Sequence, residues 1–243
     1  RQYVSSYKDL PFFAYQIQRK FRNEARAKSG IMRTREFDMK DLYSFCATQE
    51  QHDTFYEACA LAYMKIFTRI GIGEKTFRTF ASGGAFSKFS HEFQTLAEAG
   101  EDVVYVNEKK GIAVNEEVLG VADLSELGVT KDELEKRKSI EVGNIFSLGT
   151  KFSEALELTF KDEEGNSHPV IMGSYGIGPA RAMGTVVDLL GDEKGIVWPE
   201  SIAPFKVHLV ALNTDDADVR DYADGVYANL KRITEVFYDD RDV

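Results

Sequence analysis

The stretch IMGSYGIGPARAMG, residues 171–184, constrains the fold more than any other part of the chain. It places Gly173, Gly176, Gly178 and Gly184 around Pro179 and a lone Arg181. Gly173, Gly176 and Gly178 let a backbone pass close to a ligand. Pro179 suits the first turn of a helix, whose free N–H groups favour an anion. The predicted helix runs from Pro179 to Leu190, with Gly191 as its stop. A cation in the first turn opposes the helix dipole, so Arg181 needs another reason to be there. A guanidinium lying over an aromatic base while reaching a phosphate supplies one. The spacing is neither GxGxxG nor GxxxxGK[ST], which excludes the Rossmann and P-loop readings. A tight structural corner accounts for the glycines equally well. Only a second segment separates the two.

That segment is FRNEARAKSGIMRTREF, residues 21–37. Residues 19–40 carry eight Lys/Arg against three acids, a local charge of +5 in a chain whose total is −10. A solvated basic face is the bland reading; a pocket for a polyanion is the sharper one. AYQIQRKFRNEAR alternates as a strand and GIMRTREFDMKD as its antiparallel partner, with AKSG as the turn. Strand alternation puts Arg22 and Glu24 on one face, and Arg33, Arg35, Phe37, Met39 and Asp41 on one face of the partner. Arginines mixed with one aromatic ring make a poor core and a good platform: the ring stacks on a base, the guanidinium forks hold phosphate oxygens. Arg33 and Phe37 are then roughly 13 Å apart, comparable to a nucleoside triphosphate. The two segments together predict a nucleotide site.

Elsewhere, residues 53–70 read as a helix capped by Asp53, with Phe55, Cys59, Ala62, Ile66 and Ile70 on its buried stripe. KTFRTFAS and FSHEFQTLA read as strands around a Gly83–Gly84 turn. TKDELEKRK (130–138) reads as a short charged surface helix, and residues 144–174 as a strand pair bridged by a hairpin at Glu164–Gly165–Asn166. Beyond VWPESIAPF the pattern changes to a buried strand (KVHLVALN), an amphipathic helix (Val219, Tyr222, Val226, Leu230, Ile233) and a strand (TEVFYDD), the opening of an α/β layer. The boundary is placed near Pro204, and both chain ends read as cut. No apolar run reaches the length of a membrane span. Cys46 and Cys59 have no metal or disulfide spacing, which suits a reducing cytoplasm.

FRNE followed by RTREF resembles motif 2 of the class II aminoacyl-tRNA synthetases, and MGSYGIGPAR resembles their motif 3. Further blocks, YKDLPFFAYQIQRKFRNEAR, MRTREFDMKDLYSF, SHEFQTLAEAGED, EVGNIFSLGTKFSEAL and GIVWPESIAPFKVHLVAL, narrow the resemblance to the bacterial prolyl-tRNA synthetases, over nearly the whole chain except about 105–138. It implies an α+β fold: a class II catalytic core at 1–203, an antiparallel sheet flanked by helices, then the first part of an α/β anticodon-binding domain at 204–243. It also implies ATP with Mg²⁺, L-proline and tRNA(Pro) as reaction partners and a homodimeric full-length protein. Carried over by position, Arg22 grips the α-phosphate and the amino-acid carboxylate. Glu24 holds the adenine amino group or its water, Arg33 reaches the γ-phosphate, and Thr34 contacts the base through its backbone. Phe37 stacks beneath the adenine and Arg181 covers it, beside Gly178. Glu141 and Asn144 line the ribose and triphosphate side. Met39, Asp41, Phe146 and Ser174 shape the pyrrolidine pocket. Arg22 and Arg181 are the expected catalytic residues; no metal ligand is assigned.

Three departures stand out. Motif 1 and the threonine-x-glutamate proline clamp of the family would precede Arg1. Residues 105–138 form a short linker where relatives carry an editing insertion. Asn144 and Ser174 replace a histidine and a cysteine common in relatives. Two other readings stand beside the ligase: a catalytically silent paralogue that binds tRNA or a regulatory partner, and another class II ligase. His91 is a lesser candidate for the proline pocket, since alternation sends Glu92 to the opposite face. His52, His168 and His208 read as structural, and the pairs Asp215–Asp216 and Asp239–Asp240 as solvated element ends.

Overall fold

A computed structural model describes residues 2–82, 89–212 and 215–241. The chain divides into two compact units, Arg1–Val197 and Trp198–Val243.

The first unit is built on an eight-stranded sheet. Its strands are β1 (Phe12–Phe21), β2 (Glu36–Cys46), β3 (Thr76–Ser82), β4 (Phe89–Leu96), β5 (Asp102–Asn107), β6 (Ile112–Asn115), β7 (Glu135–Gly149) and β10 (Ile171–Ile177). They lie in the order β1-β2-β10-β7-β4-β3-β6-β5, and β5 pairs in addition with β7. That extra pairing closes β7, β4, β3, β6 and β5 into a ring. Phe77, Leu96, Val104, Val106 and Ala113 fill its apolar end. A small hairpin of β8 (Thr159–Lys161) and β9 (Ser167–Pro169) turns through Gly165, at φ 86°.

Helix α1 (Gln49–Arg69) packs on one face of the sheet, and Thr48 caps it by accepting from the Gln51 N–H. The expected cap at Asp53 is therefore wrong by more than a turn. Of the expected stripe only Cys59 is fully buried: the buried residues are His52, Tyr56, Cys59, Ala60, Tyr63 and Phe67, while Ala62 and Ile66 are exposed. Tyr56, Tyr63 and Phe67 meet Tyr175 and Phe93 in tilted ring contacts, so aromatic residues rather than aliphatic ones set the buried face.

The predicted helix at 130–138 does not form. A single 3-10 turn, Lys131–Glu133, leads straight into β7. Its charges serve ion pairs across neighbouring strands and turns, Lys136 to Glu116 at 2.6 Å and Arg137 to Glu108 at 2.9 Å, so non-local pairing overrides local helix propensity. Residues 105–138 are likewise not a linker, because the end of β5, all of β6 and the start of β7 lie within them. Between β7 and β8 a five-residue helix α2 (Lys151–Ala155) interrupts the predicted strand pair. The Gly83–Gly84 turn lies outside the described residues.

Strand β10 runs into α3 (Pro179–Leu190), with Pro179 in the first turn and Gly191 as the C-cap, as its glycines and proline predict. Among the described residues no helix is long and apolar enough to cross a membrane.

The second unit contains β11 (Val207–Val210), α4 (Ala217–Leu230) and β12 (Val236–Asp239), with β11 and β12 parallel. The strand expected to be buried is not: His208 and Val210 are exposed. On α4 only Ala223 is fully buried; Tyr222 and, beyond the helix, Ile233 are exposed. Asp216 caps α4, but Asp239 is no solvated end. Arg241 grips it through Nε at 2.7 Å and Nη2 at 2.6 Å and lowers its pKa to about 2.

Candidate active site

The face of the sheet opposite α1 carries the cleft. Antiparallel register places Asp41, Gly176 and Asn144 side by side, then Tyr43, Ser174 and Phe146 in the next row. Alternation sends Lys40, Leu42, Tyr175 and Ile145 to the α1 side. There Lys40 donates to the Tyr63 hydroxyl at 2.8 Å and the Tyr175 carbonyl at 3.1 Å, and burial lowers its pKa to about 8.

The two segments singled out in the sequence meet here. Arg22, Glu24, Arg33, Thr34, Phe37, Met39, Glu141, Asn144, Gly176, Gly178 and Arg181 line one cleft, with Ile31 and Met32 beside them. Residues 22–35 do not continue the strands as predicted, because β1 stops at Phe21 and β2 starts at Glu36. They form a long loop closed by Arg22 N–H to Arg35 O at 2.9 Å and Lys28 N–H to Arg33 O at 3.0 Å. Ser29 and Gly30 take positive φ at its tip.

Each guanidinium has a distinct setting. Arg181 donates from Nη1 to the Glu141 carbonyl and carboxylate, both at 3.1 Å, and from Nε to the Met32 carbonyl at 3.3 Å. Asn144 donates to the other Glu141 oxygen at 2.8 Å. Arg33 lies between Glu24 and Glu101, and the two carboxylates, Glu24 first, raise its pKa against burial. Its Nε is 3.1 Å from Glu24 but off the N–H direction, an ion pair rather than a directed hydrogen bond. Glu24 is held low chiefly by the Arg26 N–H. Arg22 pairs with no carboxylate among the described residues; its guanidinium carbon lies 5.1 Å from the centre of the Phe37 ring.

The glycines divide by face. A Cβ at Gly173 would meet the Tyr175 hydroxyl and come within 2.7 Å of Ser44 Oγ, so this residue serves packing on the α1 side, not a ligand. At Gly176 it would meet Asn144 Oδ1 at 3.0 Å on the cleft side. Gly178 caps α3 without a side-chain hydrogen bond, leaving the first-turn N–H groups uncapped by any side chain.

Of the residues expected in a pyrrolidine pocket, only Met39 lines the cleft. Asp41 is buried and its carboxylate is taken by Lys20 and by Gln16 Nε2, the latter at 3.2 Å. Phe146 packs against the cluster of Leu148, Leu158 and Met172. His91 lies on the α1 side, its Nδ1 2.8 Å from the Tyr56 hydroxyl, and burial with Arg78 nearby lowers its pKa to about 4. Sequence reasoning missed Glu101, which holds Lys28, Ser29 and Arg33 at once. Nothing in its local sequence marks it.

A sheet antiparallel in all but its β3–β6 pairing, carrying an arginine-rich loop, an aromatic platform and an uncapped helix start, is a class II synthetase core. The chain belongs to the family described as tRNA synthetase class II core domain (G, H, P, S and T), whose model matches residues 1–189. The proline–tRNA ligase of Wolbachia sp. subsp. Drosophila simulans (strain wRi) is 39% identical over 253 residues, covering 100% of this chain and 59% of the relative. That of Anaplasma marginale (strain St. Maries) is 40% identical over 244 residues, covering 95% and 57%. The chain thus spans less than two thirds of the length of these curated relatives. A crystal structure of prolyl-tRNA synthetase from Cryptosporidium parvum, complexed with L-proline and AMP, shares the fold with a TM-score of 0.71 at 19% identity, over 99% of this chain and 43% of that one.

Proposed function

We propose that the protein is a proline–tRNA ligase that activates L-proline with ATP and transfers it to tRNA(Pro). The observation that carries this reading is the convergence of Arg22, Arg33, Phe37 and Arg181, from segments some 140 residues apart, on one cleft at the start of α3. The naming of the curated relatives supports proline as the amino acid.

In this reading adenine enters between the Phe37 ring and Arg181, displacing the Arg22 guanidinium from the ring. Glu24 accepts from the adenine amino group and Thr34 meets the base through its backbone. Arg22, released, reaches the α-phosphate, and Arg33 exchanges a carboxylate partner for the γ-phosphate. Proline's carboxylate oxygen attacks the α-phosphorus in line; the bond to the bridging oxygen breaks and pyrophosphate leaves with the electron pair. No covalent enzyme intermediate forms, so the chain's work is alignment and stabilisation of developing phosphate charge. The tRNA hydroxyl then takes the prolyl group and AMP departs.

Among the described residues no cluster of three His, Cys, Asp or Glu side chains could hold a metal. Mg²⁺ therefore enters as part of the ATP complex, on the side lined by Glu141 and Asn144. Met39 lines the proline side, with Asp41 and then the row of Tyr43, Ser174 and Phe146 following along the same face of the sheet; Asp41, paired with Lys20, contributes shape there rather than free charge. We assign residues 204–243 to the start of an anticodon-binding domain, the full-length protein to a homodimer, and its setting to the cytoplasm, which the two free buried thiols suit.

Amino-acid-dependent ATP–pyrophosphate exchange by the full-length protein tests the reading. Exchange with proline alone is expected; exchange with another amino acid, or none, overturns it.

A further inference from the structure

Glu101 closes the short link between β4 and β5, and the backbone on either side of it is fixed to β7. Gly100 lies so close to that strand that a Cβ on it would run into the Ser139 backbone. Asp102 is paired in register with the same Ser139. From this post the Glu101 carboxylate reaches the tip of the loop at residues 22–35. Its Oε1 meets Lys28 Nζ at 3.1 Å and accepts from Ser29 Oγ at 3.4 Å, and its Oε2 accepts from Arg33 Nη1 at 3.2 Å. Three donors from one loop thus converge on one carboxylate. Burial alone would raise its pKa, but Lys28 and Arg33 outweigh that and hold it below the ordinary carboxylate range, so it is ionised at neutral pH.

Little else holds the loop. Its backbone bonds, Arg22 to Arg35 and Lys28 to Arg33, are internal, as is the ion pair of Glu24 with Arg33. Among the described residues one other polar contact joins it to a distant element, the Met32 carbonyl accepting from Arg181 Nε at 3.3 Å. That tie reaches α3, whereas Glu101 reaches the ring of strands. A recess beside the cleft carries Arg22, Arg33 and Arg181 together with Glu101, Asp102 and Glu141, so the tether and the arginines open on one space. In the ATP reading, Glu24 is the carboxylate called to the adenine amino group. Glu101 is then the partner that stays with Arg33 while the phosphates arrive, and it takes one N–H of a guanidinium that has five.

We propose that Glu101 is a positioning residue for the reaction: it pins the tip of the arginine-bearing loop to the sheet, so that Arg33 stands at the triphosphate end of the cleft before ATP arrives. The role rests on reading the cleft as an ATP site. A pinned loop presents its guanidinium without first having to be ordered, and that preorganisation lowers the cost of binding.

Two measurements on the full-length protein, its Glu101→Gln and Lys28→Met variants and the double variant decide the matter. The first is the rate of limited trypsin nicking after Arg26 and Arg33, identified by fragment mass, which reads the freedom of the loop without any nucleotide. The second is pyrophosphate exchange at varied ATP and varied proline. E101Q should be nicked faster, and its KM for ATP should rise, each roughly three- to tenfold, the size that two part-exposed ion pairs allow. Its KM for proline and its melting temperature should stay at the wild-type values, since a change that merely loosened the fold would move them too. K28M should move the same two quantities by less, and the double variant should be no worse than E101Q, because both changes remove one tether. Should E101Q fail to fold, K28M, changed on the exposed loop tip, carries both measurements. Unchanged nicking, or additive effects in the double variant, overturn the tether. Faster nicking with an unchanged KM for ATP overturns the positioning role, and so does a parallel rise in the KM for proline. A wild-type protein without ATP-dependent exchange overturns the reading of the cleft, while nicking still decides whether Glu101 holds the loop.

Discussion

The Arg22 guanidinium rests 5.1 Å from the centre of the Phe37 ring, on the surface assigned here to adenine. The chain thus covers its own platform with a cation, and a nucleotide bound there must exchange one planar partner for another.

Removing the platform should weaken nucleotide binding without unfolding the protein. Stacking of a base on an aromatic ring contributes about 1–3 kcal/mol, so Phe37→Ala should raise the KM for ATP by roughly one to two orders of magnitude. Its half-buried setting at the cleft limits the effect on melting temperature. Pyrophosphate exchange at varied ATP, with a melting curve alongside, checks both parts; an unchanged KM would remove Phe37 from the site.

Arg22 should behave differently. It has no carboxylate partner among the described residues, so its loss leaves no buried charge behind. By comparison with a single oxyanion donor, Arg22→Ala should cost about 3–4 kcal/mol in kcat/KM. Steady-state exchange kinetics would show the loss chiefly in kcat if the contact forms in the transition state.

Gly173 offers a stability test that leaves the cleft untouched. A methyl group there must displace the Tyr175 hydroxyl or Ser44, both buried and hydrogen-bonded to each other at 2.9 Å. Overpacking of this kind costs about 1–3 kcal/mol, so Gly173→Ala should lower the denaturant midpoint by that equivalent. The same change at Gly178 would meet only the Arg181 Cβ at an ordinary 3.6 Å.

His91 makes stability depend on acid. Its pKa is lowered to about 4, so between pH 4 and 6.5 the unfolded chain binds a proton that the folded chain refuses. Stability is therefore full above about pH 6.5 and lost as pH falls toward 4, by up to about 3 kcal/mol from this group. Chemical denaturation at pH 7 and pH 5 should show the loss in the wild type and a smaller one in His91→Asn.

The cleft was legible because its chemistry is written in residues that packing cannot explain: Arg22, Arg33 and Arg181 are costly as core, and they crowd with Phe37 into two short segments. The ring of strands was not legible. It depends on β5 meeting the start of β7, a pairing set by distant cross-strand contacts, while the local sequence TKDELEKRK favours a helix. The α1 stripe was misplaced, Cys59 apart, because Tyr56 and Tyr63 were left out of it, and the buried face is set by Tyr56, Tyr63 and Phe67. Glu101 went unassigned because its importance comes from what lies opposite it, Lys28, Ser29 and Arg33.

One strand, β7, belongs to the ring at its beginning and forms the floor of the cleft at its end. A slip of a single residue along β7 would turn Glu141 and Asn144 toward α1 and, in the same movement, break the register with β5 that closes the ring. The chain cannot misalign one half while keeping the other, so a correctly phased catalytic floor comes with a correctly closed neighbour.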